Sequence, residues 1–217
     1  MKRRTTVISA IAAVALLGAG GTATAVAVSG DDGSSSSAKQ SSVRVKDDDG
    51  VSDDQEEINE AKGAKVKAED AIAAALKHTP GTAVGADLDS DDGRLVWDVD
   101  VIGSGDKWQH VEIDPGTGKV LGSHTERDDD GDDSAARVAA TLKDASTSAE
   151  DAAKAAASKG TVTSVDADDD GSVKVWEVET TSKNGTEHDW HVDLQSGAVT
   201  VDHSSDDDGS DDDGDDD

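Results

Sequence analysis

The sequence predicts an α+β protein built from two copies of one small module, each a helix packed on a three-stranded antiparallel sheet. Three observations lead there. Residues recur at an offset of 79 through the central strands. In each copy a stretch with helical spacing gives way to strict alternation. Turn signals then punctuate the alternating runs at matching places.

The recurrence runs without a gap from Trp97/Trp176, Asp98/Glu177 and Val99/Val178 to Asp114/Asp193, Gly118/Gly197 and Val120/Val199. Upstream, Ala68-Glu69-Asp70-Ala71 returns unchanged as Ala149-Glu150-Asp151-Ala152 at an offset of 81, so the second copy is two residues shorter after its helix. Two copies of this length make a duplicated domain rather than a solenoid.

In copy one, Ile72, Ala75, Leu76 and Thr79 are three and four apart, which is the spacing of one helix face, and Pro80-Gly81 stops the helix. In copy two, Ser148 stands where an N-cap is needed, with Asp151 three residues on in the place of a capping-box acid. Both helices place acid in the first turn, where it complements the dipole. The period then changes to two. Trp97, Val99 and Val101 alternate with Asp98 and Asp100, and Trp176 and Val178 alternate with Glu177 and Glu179, as in strands with one buried face. Asn184-Gly185 is a hairpin signal, and Gly103–Asp106 occupies the same place in copy one. Second strands follow with Val111 and Ile113, or Trp190 and Val192, facing inward. Turns at Asp114–Gly118 and Asp193–Gly197 lead to short third strands at Val120-Leu121 and Val199–Val201. The second helix offers mostly alanine, so its core is thin, and the two modules are expected to pack on one another or on a partner.

Around the modules the chain divides by composition. Residues 1–28 read as a signal peptide or signal anchor: Lys2, Arg3 and Arg4 precede an uncharged apolar run from Val7 to Leu17, followed by Ala23-Thr24-Ala25 and Ala25-Val26-Ala27. Cleavage is preferred because glycines weaken the second half; uncleaved, the segment would anchor the protein with its basic end inside. Residues 29–55 read as a disordered Ser/Asp/Gly linker, 56–127 as the first domain, 128–133 as an acidic linker, 134–203 as the second domain, and 204–217 as a disordered acidic tail. Either fate of the leader places the modules outside the cytoplasm, secreted or anchored at the outer face of the membrane.

Twenty basic residues against 49 acidic ones leave a net charge of −29. Such a field repels phosphate, which argues against nucleic acid and against membrane contact except through an uncleaved leader. Basic protein surfaces and cations suit it better. The absence of cysteine excludes disulfides, thiolate chemistry and a lipidated cysteine. There is no Tyr or Phe, so Trp97, Trp108, Trp176 and Trp190 supply all the aromatic bulk.

A helix opening with Ala-Glu-Asp-Ala, a strand of Trp-Asp-Val-Asp-Val or Trp-Glu-Val-Glu type, and then Val111-Glu112-Ile113-Asp114-Pro115-Gly116-Thr117-Gly118-Lys119-Val120 together resemble the PepSY domain. The resemblance covers about 65–125 and 146–203. Copy two departs from it at Ser196-Gly197-Ala198, where copy one has Thr117-Gly118-Lys119. The resemblance implies a non-catalytic module of the kind found in propeptides of thermolysin-like metallopeptidases and in bacterial secreted or anchored proteins, with restraint of an extracellular peptidase as its role. It supplies no catalytic residue.

No nucleophile elbow and no Gly-rich phosphate loop occurs, so no catalytic residue and no cofactor is expected. His78, His110, His124, His188, His191 and His203 are read as structural or solvent-exposed; His188 and His191, three apart on a strand, face opposite sides. One motif competes. Asp166, Asp168, Asp170 and Glu177, with Gly171 at the sixth place, satisfy the spacing of an EF-hand calcium loop. The reading preferred for it is an acidic β-turn, because Val173–Glu179 alternates as a strand where a helix is required. The expected function is a non-catalytic extracytoplasmic binding or regulatory protein that restrains a secreted peptidase. The alternative is an acidic, calcium-binding protein of the cell surface or wall.

Overall fold

The computed structural model describes residues 40–45, 53–91, 93–125, 133–167 and 173–202. The leader read in residues 1–28 and the tail read in 204–217 lie outside them. Among the described residues no helix is long and apolar enough to cross a membrane.

The alternating runs become strands, but each copy has four rather than three. Copy one contains helices α1 (Asp53–Gly63) and α2 (Ala68–His78), then strands β1 (Thr82–Asp91), β2 (Arg94–Ile102), β3 (Trp108–Ile113) and β4 (Val120–Thr125). Copy two contains α3 (Asp133–Lys143) and α4 (Ala149–Ala156), then β5 (Thr161–Ala167), β6 (Val175–Thr181), β7 (Glu187–Asp193) and β8 (Val199–Val201). The expectation of one helix on three strands per copy is therefore corrected to two helices and four strands. The strands that escaped sequence reading are β1 and β5. Strand β1 is rich in Gly, Ala, Ser and Asp, which have weak strand propensity, while in β5 Thr161, Val162, Thr163 and Val165 favour strand but a bulge at Thr163 breaks the period of two. Both are completed by pairing on each edge.

That pairing joins the copies. All strands lie in one antiparallel sheet of order β4-β3-β2-β1-β5-β6-β7-β8, and β1 meets β5 with Gly85 opposite Asp166, Ala86 opposite Val165 and Asp87 opposite Ser164. A bulge interrupts β1 at Val84 and another interrupts β5 at Thr163, so the offset of 79 extends into the irregularities.

One apolar core spans both copies, as the expectation that the modules pack together requires. Leu95, Trp97, Val99 and Val101 of β2, Trp176 and Val178 of β6, and Ile72, Ala75, Ala152 and Ala156 of the helices belong to a single buried cluster. The alanine-rich face of α4 suits this arrangement, since small side chains let it lie close to both α2 and the sheet. Its start is held by the expected capping box between Ser148 and Asp151. In α2, Lys67 takes the N-cap position without a side-chain cap.

The buried tryptophans carry the repeat into hydrogen bonding. Trp97 Nε1 donates to the carbonyl of Val66 and Trp176 Nε1 to that of Thr147, each at 3.0 Å. The loops they reach are tied to the β3–β4 and β7–β8 turns. The amides of Lys65 and Val66 donate to Pro115 O, and those of Ser146 and Thr147 donate to Leu194 O. Gly118 (φ 70°) and Gly197 (φ 67°) close these turns in the left-handed region that favours glycine.

Residues 40–45 and the first turn of α1 fall inside the span expected to be linker, and residues 40–45 are attached to copy one. Ser42 donates through both its amide and its hydroxyl to Asp114, at 3.1 and 2.7 Å, and Arg44 bridges to Arg94 at the start of β2.

Candidate functional site: the acidic face of the sheet

The residues that alternate with the core define the opposite face of the sheet. The registers set them in two rows across the seam between copies. One runs His110, Asp100, Gly85, Asp166, Glu177, His191; the other runs Glu112, Asp98, Asp87, Ser164, Glu179, Asp189. Sequence alternation places an acid at every second residue of β2 and β6, and pairing brings those acids side by side. Most of these side chains are half-buried; Glu177 is exposed and Glu179 is buried.

The crowding differs along the rows. In copy two the carboxylates are met by hydroxyls: Ser164 Oγ donates to Asp166 at 2.6 Å, and Thr163 Oγ1 donates to Glu179 at 3.3 Å. His191 Nε2 lies 3.4 Å from Asp202 and 4.0 Å from Glu177. In copy one, Asp98 sits among Asp87, Asp100 and Glu112. Burial, and then repulsion chiefly from Asp100, push its carboxyl up to about 6, with His110 opposing. Its Oδ1 atom is sealed from solvent and accepts no hydrogen bond among the described residues. Asp100 pairs with His110 Nδ1 at 2.5 Å, and the His110 ring stacks on His124 with centroids 4.7 Å apart.

The structure brings two of the calcium-loop residues together and leaves two out of account. Asp166 and Glu177 are direct cross-strand partners, whereas Asp168 and Asp170 lie outside the described residues. Glu177 stands on strand β6, as the alternation predicts, rather than on an EF-hand helix. His188 lies on the other side of β7 from His191, exposed and 6.0 Å from Trp190. His203 lies outside the described residues. Sequence reasoning missed the grouping of His110 with Asp98 and Asp100. The signal was present in the tight connection at Gly103–Asp106. Once Ile102 pairs with Trp108, Asp100 must fall opposite His110.

The family comparison matches residues 65–124 and 147–200 to PepSY, the peptidase propeptide and YPEB domain. These two stretches make up more than half of the chain. The chain belongs to the PepSY family. Each match spans the second helix and the four strands of one copy, with α1 and α3 outside it. Among solved structures, the crystal structure of a protein described as a lipoprotein from Clostridium difficile 630 is similar, at 28% identity and a TM-score of 0.40 over 63% of this chain and 91% of that one. So low a score carries no argument about function. No curated protein matches. PepSY domains are propeptide and regulatory modules, and a non-catalytic extracytoplasmic regulatory role accords with the family match.

Proposed function

We propose that this protein is a secreted or surface-anchored regulator that restrains a peptidase, docking a basic surface of that enzyme on the acidic face of its fused PepSY sheet. The match of both copies to the peptidase propeptide domain carries the reading. Charge complementarity supports it, since carboxylates from six adjacent strands, β3 to β7 with β1 and β5 at the centre of them, share one face. The strands that carry these acids each have a neighbour on both sides, so binding on that face would use side chains rather than added strands.

The test uses the full chain purified from culture fluid. Added to a thermolysin-type metallopeptidase or to the peptidases of the same culture fluid, it should lower hydrolysis saturably, and the effect should weaken as salt rises. Unchanged hydrolysis at low salt with excess protein would sink the proposal.

A further inference from the structure

We infer that Asp98, Asp100 and His110 form a binding site for a divalent transition-metal ion, Zn²⁺ in chemical class, on the acidic face of the first PepSY copy. This inference is independent of the peptidase reading.

The geometry starts from register. Asp98 and Asp100 are two apart on β2 and share a face, and His110 is opposite Asp100 on β3. One donor atom from each of the three lies within 4.8 Å of the donors of the other two. Bonds of about 2.0–2.2 Å put two ligands of one ion no more than about 4.4 Å apart, so small side-chain movements would gather the three donors around an ion.

Two features separate this trio from the remaining carboxylates of the face. The first is the nitrogen donor, and its orientation is fixed. His110 Nδ1 is held by Asp100 at 2.5 Å and the ring is backed by His124. An ion held by both Asp100 and His110 would take the place of the proton between Asp100 and Nδ1, since metal ligands bind deprotonated. The second is Asp98, whose Oδ1 is buried and accepts no hydrogen bond among the described residues. In copy two the counterpart of Asp98 is Glu177, which is exposed and 4.0 Å from His191, and the counterpart of Asp100 is Glu179, which Thr163 meets. Glu112, the neighbour of Asp98 in its row, reaches the other way: its Oε2 lies 3.3 Å from where a Cβ on Gly122 would stand. Imidazole with carboxylate selects Zn²⁺ and its neighbours, while Ca²⁺ and Mg²⁺ prefer all-oxygen shells. Asp98 Oδ1, Asp100 Oδ1 and His110 Nε2 are sealed from solvent, and the half-exposed side chain of Asp100 is the route by which an ion would enter.

Copy two cannot repeat the site. The residue matching His110 is Asp189 and the one matching Glu112 is His191, so the imidazole moves to the other row and is engaged by Asp202.

The experiment is calorimetry of the full chain with ZnCl₂ and, separately, CaCl₂ at physiological salt, on the parent and on Asp98→Asn, His110→Ala and His191→Ala. One saturable Zn²⁺ equivalent is expected, weakened at least tenfold in Asp98→Asn and in His110→Ala and unchanged in His191→Ala. Asp98→Asn keeps the side-chain shape and relieves repulsion, so it should remain folded, which circular dichroism would check. The same Zn²⁺ affinity in the parent and in Asp98→Asn would overturn the site, as would Ca²⁺ competing equally for it or heat that only fades with salt.

Discussion

Asp166 extends its carboxylate over the bare backbone of Gly85, its partner across the β1–β5 seam, so closely that a Cβ at position 85 would collide with Oδ1. The contact belongs to neither PepSY copy alone. It shows why the strand that joins the copies needs a glycine where its counterpart has Ser164.

Gly85→Ala should therefore destabilise the protein by about 1–3 kcal/mol, the usual cost of overpacking. The obstruction is a side-chain end held by Ser164, so Asp166→Ala should recover most of the loss. A double-mutant cycle measured by urea unfolding reads the coupling directly. Additive losses would show that the methyl group does not meet Asp166.

Stability should rise as pH falls from neutral. The Asp98 carboxyl rises from 3.8 to about 6 on folding, through burial first and the Asp100 charge second. Between these values the folded chain holds a proton that the unfolded chain has lost. The stabilisation is thus fully present below 3.8 and is lost as pH rises through about 6. Its size is at most on the order of 3 kcal/mol. Below 3.8 the opposite groups take over. Ser148 holds Asp151 low and Ser196 holds Asp193 low; at Asp114, burial works against the charge, but bonds from Ser42 and Gly116 outweigh it. Unfolding midpoints should increase from neutral pH toward pH about 4–5 and decline below. In Asp98→Asn the rise should flatten, and an equal rise in both proteins would refute the assignment.

The two tryptophan hydrogen bonds should be of similar worth. Trp97→Phe and Trp176→Phe each leave a loop carbonyl without its indole donor and should cost about 1–3 kcal/mol. Because both rings sit in one buried cluster, each substitution should shift a single transition for the whole protein. Two separate transitions in calorimetry would count against a shared core.

The helix starts differ in a way that engineering can exploit. Ser148→Ala removes the capping box of α4 and should cost about 0.5–2 kcal/mol. Lys67→Ser supplies α2 with the cap that it lacks and should add about 0.5–1 kcal/mol. Thermal unfolding of the two variants should move in opposite directions.

The sequence alone determined what depends on local periodicity and turn chemistry. The Trp-led strands β2 and β6, the α2 helix, the Ser148–Asp151 cap and the glycines of the β3–β4 and β7–β8 turns are all written in residues that act on neighbours a few positions away. The PepSY resemblance rests on the same local motifs. Tertiary structure alone decided the rest. Strands β1 and β5 gave no clean alternation, because β1 is rich in Gly, Ala, Ser and Asp and each strand is interrupted by a bulge; pairing on both sides is what completes them. Their pairing turned two modules into one sheet and one core, and it set acids that are remote in sequence into shared rows. It also placed His110 beside Asp98 and Asp100. A carboxylate's burial and its neighbours across strands depend on register, and register across a seam is settled only when the backbone groups of distant segments meet.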